Sequence, residues 1–321
     1  MNMKIKMPGL EFDKPVYNGS GSFEYGEYQW TAFAKAMDFQ GLPAVTLKTS
    51  TIKSKITPEK RSNLMYSKGS QIMNSIGLQN PPIEGVVKKI AEYNEIIEQP
   101  LIASASGDTI DEFAENVKIL SEQDVVAVEI NLSCPNVDKG GITFGTDVEV
   151  VEEVVRRCKA VSKKPIYVKL TPNVTNIADI AIAAEKGGAD AIIAINTLLG
   201  FMVDPKTGKP VVARGYGGYS GPGIFPVAAR AVHQIFKVVN IPIVGVGGIM
   251  KGQDVIDMMS AGASVCQVVT GSHNDVEFFT KINKEVEEIL EELGVKDINE
   301  IIGRSHKFKP TQVLPQGQNS H

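Results

Sequence analysis

The feature that most constrains this chain is an alternation of short, continuous apolar runs with longer amphipathic ones, sustained over nearly its whole length. The short runs are rich in β-branched residues and end in Gly, Ser, Asn or Lys. They cover residues 16–20, 44–48, 101–106, 127–133, 165–170, 191–196, 241–248 and 264–271. A run without polar alternation suits a strand covered on both faces, as in a parallel sheet. Between the runs, apolar residues recur at helical spacing over 28–37, 83–97, 110–123, 148–161, 177–186, 226–239, 253–261 and 276–293. Asp108 or Thr109 marks the start of the third helix, and Thr146 or Asp147 that of the fourth. Eight strands and eight helices in strict alternation predict an α/β fold, a (β/α)8 TIM barrel in a single domain, with an open doubly wound sheet as the alternative. The barrel is expected over residues 1–304. A weakly ordered tail is expected over 305–321, where Gln316-Gly317-Gln318-Asn319 lies.

Bulk properties exclude several classes. The net charge of −4, from 33 basic and 37 acidic residues, predicts neither a nucleic-acid nor an anionic membrane partner. No stretch approaches the ~18 continuous apolar residues of a spanning helix, and Met1-Asn2-Met3-Lys4-Ile5-Lys6 leads into no signal-like apolar run. Three widely spaced cysteines do not read as a disulfide framework. A soluble, cytoplasmic protein is expected.

Three connections, 49–82, 134–146 and 197–226, are too long for plain βα turns. All follow carboxyl ends of strands, where barrel enzymes build their sites. Polar residues gather at those ends: Asn18-Gly19-Ser20-Gly21, Lys48, Asn131 with Ser133-Cys134, Lys169, and Asn196-Thr197. Singly, such a Lys is an ion-pair partner and such an Asn a turn former; together they predict a polar pocket. Gly247-Gly248 closes strand seven and Thr270-Gly271 strand eight, the usual phosphate end of a barrel. The cluster Gly215-Tyr216-Gly217-Gly218-Tyr219-Ser220-Gly221-Pro222-Gly223 either covers the same ligand or is a flexible loop. One phosphate and a large hydrogen-bonding body suit flavin mononucleotide, and also sugar phosphates. No metal site is expected.

Cys158 falls in a helix and Cys266 in a strand, as packing residues do. Cys134 instead heads the connection that carries Asp138-Lys139-Gly140-Gly141, a lid-like composition. A thiol there can serve as a base or a nucleophile. His273, after strand eight, lies nearer the phosphate end, so a Cys–His dyad is not expected and Cys134 is read as a proton carrier.

These residues resemble the class 1 dihydroorotate dehydrogenases over about residues 7–303. The matching segments are Asn18-Gly19-Ser20-Gly21, Asn74-Ser75-Ile76-Gly77-Leu78-Gln79-Asn80, Glu129-Ile130-Asn131-Leu132-Ser133-Cys134-Pro135-Asn136, Val168-Lys169-Leu170-Thr171-Pro172, Ile195-Asn196-Thr197-Leu198-Leu199-Gly200 and Gly245-Val246-Gly247-Gly248-Ile249. The fifth of these is similar to the class 1B catalytic subunit. The resemblance implies FMN-dependent oxidation of (S)-dihydroorotate to orotate in de novo pyrimidine biosynthesis. In it Cys134 takes a proton from C5 while hydride passes from C6 to the flavin. Asn74, Asn131, Asn136, Asn196 and Thr197 would bond the pyrimidine ring. The main-chain amides of Ile76, Gly77 and Leu78 would hold the carboxylate. Lys48 would touch flavin and substrate, and Lys169 would balance the reduced flavin's charge. Ser20, Gly21, Thr49, Asn131, Ile195, Gly221, Gly247, Gly248, Thr270 and Gly271 would surround the flavin and its phosphate. A homodimer is implied. In class 1B a second subunit carrying FAD and an iron–sulfur cluster relays electrons to NAD; class 1A homodimers use fumarate.

Two segments depart from the family pattern. Val269-Thr270-Gly271 stands where Gly-Thr is usual, and Phe225-Pro226 where Lys-Pro is usual. Tyr219-Ser220-Gly221 and the strand starting at Cys266 are similar to the related dihydropyrimidine dehydrogenases. A uracil or thymine reductase is therefore the second reading, and a non-catalytic barrel binding a phosphorylated ligand the third.

Overall fold

The computed structural model describes residues 1–22, 39–55, 65–132, 144–273 and 275–308. The expected helix at 28–37 lies outside them, as do residues 309–321. Eight parallel strands form one sheet: β3 (Val16–Asn18), β4 (Val45–Ser50), β7 (Leu101–Ala105), β8 (Ala127–Asn131), β9 (Ile166–Lys169), β10 (Ala191–Ala194), β13 (Ile243–Val246) and β14 (Val265–Val268). They run in the order β3-β14-β13-β10-β9-β8-β7-β4, so that each new strand pairs beside the one before it, as a barrel requires. Helices α1 (Ile83–Ile96), α2 (Ile110–Ser121), α3 (Val148–Val161), α4 (Ile177–Lys186), α5 (Phe225–Phe236), α6 (Gly252–Ala261) and α7 (Phe278–Glu292) pack outside it. Their apolar stripes and the outward faces of the strands make one continuous core.

Local chemistry sets the helix ends. The Thr109 hydroxyl accepts from the Glu112 amide at 3.1 Å, and the Asp147 carboxylate from the Val150 amide at 3.0 Å. Of each pair of candidate caps, the residue nearer the helix does the work. Cys158 and Cys266 are buried, and burial pushes the Cys158 thiol up to about 12, as expected of packing residues.

Where β3 meets β4, a side chain supplies the pairing. The two strands stand at opposite ends of the hydrogen-bonded order. Asn18 Nδ2 donates to the Thr46 carbonyl at 2.7 Å, and the Thr46 N–H donates to Asn18 Oδ1 at 2.9 Å. One amide group thus imitates one rung of a ladder. Asn18 is fully buried in the wall, which corrects its reading as a residue of the mouth. Asn283 of α7 braces the same strand, accepting from the Val16 N–H at 3.1 Å and donating to the Val16 carbonyl at 3.2 Å.

Two further sheets arise where the sequence shows only loops or lead-in residues. A hairpin, β1 (Ile5–Met7) and β2 (Leu10–Phe12), sits at the amino-terminal end of the barrel. The Tyr167 hydroxyl donates to the carbonyl of Pro8 in its turn at 2.6 Å. At the opposite end, β5 (Met65–Lys68), β6 (Gln71–Asn74), β11 (Leu198–Phe201) and β12 (Tyr216–Ser220) form an antiparallel sheet in the order β11-β12-β6-β5. It joins two of the three long connections, and the glycine cluster becomes its strand β12. After α7, Arg304–Lys307 makes a 3-10 turn in which His306 stacks on His233, ring centroids 3.9 Å apart.

Replacing Asn18 by Ala leaves a buried N–H and a buried carbonyl unpaired, at about 1–3 kcal/mol each. The expected outcome is a loss of about 2–4 kcal/mol in urea unfolding. A loss below about 0.5 kcal/mol, the level of an ordinary surface change, would show that another group closes the wall.

Candidate active site

The strand ends converge on one cavity at the carboxyl face of the barrel. Every described residue expected in the site lines it: Ser20, Gly21, Lys48, Thr49, Asn74, Ile76, Gly77, Leu78, Asn131, Lys169, Ile195, Asn196, Thr197, Gly221, Gly247, Gly248, Thr270 and Gly271. Cys134 and Asn136 lie outside the described residues, three and five positions past the end of β8.

Lys48 and Thr49 are neighbours in sequence, and a regular strand points neighbours to opposite faces. Both line the cavity because β4 bulges. Thr46 pairs with Ile102 and Thr49 with Ser104, so Leu47 and Lys48 oppose Ala103 alone. The extra residue re-aims Lys48 into the mouth.

Below the cavity the barrel interior is polar. Thr49 Oγ1 lies 2.9 Å from Ser20 Oγ and 2.9 Å from Ser104 Oγ, and accepts from Asn131 Nδ2 at 3.2 Å. Asn196 Nδ2 donates to Asn131 Oδ1 at 3.4 Å. Deeper still, Glu129 receives the Ser104 hydroxyl at 3.2 Å and the Gln267 amide at 3.5 Å, and its Oε1 lies 3.7 Å from Lys169 Nζ. Glu129 and Lys169 are 0% and 5% exposed at their side chains. A charge this deep needs its partner: breaking such a pair from one side typically costs about 3–5 kcal/mol.

The sheet over the mouth supplies the other wall. Asn74 ends β6 opposite Gly218 of β12. Its Oδ1 accepts from the Ile76 amide at 3.5 Å, and its Nδ2 donates to the Gly218 carbonyl at 3.5 Å. Thr197 packs against Gly218 so closely that a Cβ there would lie 2.3 Å from its Oγ1. Glycine at 218 thus lets the β12 backbone close over the Asn196-Thr197 corner.

At the far end, Gly247 and Gly248 take φ of +127° and +76°. A Cβ on Gly248 would stand 2.5 Å from the Phe225 nitrogen, where α5 begins. Both departures from the family pattern sit here. Phe225 backs the glycine turn, and Val269 Cγ2 packs where a Cβ on Gly19 would be, 2.8 Å away. Thr270 Oγ1 donates to Ser220 Oγ at 2.9 Å, tying the strand-eight turn to β12.

With this geometry in place, the comparisons decide the family. The dihydroorotate dehydrogenase family model matches residues 2–290. The chain belongs to the dihydroorotate dehydrogenase family. It is 41% identical over 307 residues to dihydroorotate dehydrogenase B (NAD(+)), catalytic subunit, of Malacoplasma penetrans, covering 95% of this chain and 98% of that one. The like-named protein of Fusobacterium nucleatum subsp. nucleatum is 41% identical over 95% of this chain and 99% of its own. That of Exiguobacterium sibiricum is 39% identical over 95% and 97%.

The family's cofactor is FMN, and the residues present fit it. Positive-φ glycines at the strand-seven turn, with Thr270-Gly271 of the strand-eight turn lining the same cavity, suit a phosphate. A buried Lys169 stands at the polar centre, and the Oε1 of Gln267, which lines the cavity, lacks a hydrogen-bond partner. Sequence reasoning assigned no role to Gln267 or, beneath the floor, to Glu129 and Ser104. The signal for two of them was present: a charge inside Ala127-Val128-Glu129-Ile130-Asn131 and an amide inside Val265-Cys266-Gln267-Val268 break otherwise apolar strands.

Gly248→Ala places a side chain at a left-handed φ and against Phe225, so the cradle must shift. The expected outcome is a folded protein whose FMN dissociation constant rises about five- to thirtyfold, from ~1–2 kcal/mol of strain. Reconstitution of the apoprotein with FMN measures it; unchanged affinity would remove the cradle from the phosphate site.

Proposed function

We propose that this chain is a class 1B catalytic subunit that oxidises (S)-dihydroorotate to orotate in de novo pyrimidine biosynthesis. The observation that carries this reading is the convergence of the described orotate-type and flavin-type residues on a single cavity, in a chain 41% identical to a catalytic subunit of that name. Bound FMN supplies the hydride acceptor.

The chain's own residues do the rest. Cys134 takes the proton from substrate C5. A thiol suits this role because its thiolate is accessible near neutral pH, where an alcohol's anion is not. Asn74, Asn131, Asn136, Asn196 and Thr197 offer both donors and acceptors to a planar ring that presents both. Holding that ring in one orientation is the protein's main contribution to transfer geometry. The main-chain amides of Ile76, Gly77 and Leu78 face the carboxylate. Lys48 bridges cofactor and substrate, and Lys169 balances charge at the flavin.

Electrons then leave through a second subunit that carries FAD and an iron–sulfur cluster and reduces NAD. The relatives are named as NAD(+)-linked catalytic subunits. The catalytic chain pairs as a homodimer in the cytoplasm, residues 1–304 forming one barrel and 305–321 a tail. No helix among the described residues is long and apolar enough to cross a membrane.

The test is turnover by the purified chain. Dihydroorotate should reduce its flavin far faster than dihydrouracil, and NAD should accept electrons only when the second subunit is added. A preference for dihydrouracil would move the chain to the pyrimidine reductases, and NAD reduction by the single chain would end the two-subunit reading. For Cys134→Ser, flavin stays bound while its reduction by dihydroorotate slows at least about a hundredfold, the usual worth of a general base. Stopped-flow absorbance reads both; an unslowed rate removes Cys134 from the base role.

A further inference from the structure

Glu129 is a fully buried acid for which the catalytic scheme has no use. It lies on the same face of β8 as Asn131, one step deeper. Three neighbours hold it: Ser104 and Gln267 by hydrogen bonds, and Lys169 by charge at 3.7 Å. A lone hydrogen-bonded carboxylate would gain nothing from such depth, and apolar side chains commonly replace buried ion pairs without loss of stability. The pair sits directly under the cavity, and its cationic member lines that cavity.

We propose that Glu129 is a positioning residue for Lys169, holding the ammonium at the cavity floor and screening its charge toward the flavin. The inference rests on the reading of Lys169 as the group that balances the reduced flavin. On that reading an unscreened lysine makes the flavin a stronger oxidant, and an absent lysine makes it a weaker one. The carboxylate therefore sets an intermediate strength, which suits a flavin that must accept hydride and then release electrons to a further carrier.

The experiment uses the FMN-loaded chain and two readouts that do not depend on turnover. They are the flavin midpoint potential and the dissociation constant of sulfite, which adds to oxidised flavin and leaves negative charge on the ring. Lys169→Met should raise the sulfite constant roughly tenfold, and Glu129→Gln should lower it roughly tenfold, as expected for one nearby charge gained or lost. The potentials should move to more negative and more positive values, respectively. The double variant should return both readouts toward the values of the unaltered protein, because it removes two opposite charges together.

If Lys169→Met leaves both readouts unchanged, the reading of Lys169 fails and the inference falls with it. If Lys169→Met shifts them but Glu129→Gln does not, the inference alone fails. A double variant shifted as far as Lys169→Met would show that the carboxylate offsets none of the lysine's charge at the flavin, and would overturn the screening role. The double variant leaves no unpaired charge in the core, so its comparison with the unaltered protein decides the matter even where a single variant does not fold.

Discussion

Closure of the eight-stranded sheet is the constraint on which the rest depends. A closed sheet turns one face of every strand toward a common axis, so residues far apart in sequence become neighbours at each level along it. Here part of that closure is made by a side chain. The Asn18 amide gives and takes one hydrogen bond each with the Thr46 main chain, standing in for a rung between β3 and β4. With the wall closed, Lys48, Asn131, Lys169 and Asn196, from four different strands, share one cavity.

The interior of this barrel is not uniformly apolar. A column of polar groups runs from Asn196 through Asn131, Thr49 and Ser104 to Glu129 and Lys169. Buried polar groups are tolerable only when each finds a partner, and partial satisfaction is worse than an oily core. The column meets that demand almost throughout, and the Oε1 of Gln267 is an exception that lies at the cavity. Rigid polar scaffolding of this kind holds amide side chains ready for a planar substrate without reorganisation at the moment of reaction.

The long connections build the other half of the site. Two of them pair into the antiparallel sheet β11-β12-β6-β5, which carries Asn74 and presses β12 against Thr197. The exposed face of this sheet carries Leu199, Phe201 and Tyr216, so the roof of the cavity is also an apolar outer surface. Of the two positions that depart from the family pattern, Phe225 lies behind the glycine turn, while Val269 lines the cavity beside Gly19.

The sequence by itself determined the eight barrel strands, seven of the helices seen here, two helix caps and the residue types at the strand ends. Those features depend on periodicity and on side-chain-to-backbone bonds a few residues long, which a linear string records. The mouth sheet was not legible, because Tyr216-Gly217-Gly218-Tyr219-Ser220 and its partner strands are short, and the pairing that joins the two long connections, Gly218 with Asn74, spans more than a hundred positions. Nor were the bulge that turns Lys48 inward, the retreat of Asn18 into the wall, or the pairing of Glu129 with Lys169. Each of these depends on which strands stand side by side and in what register, and only the closed tertiary structure decides that.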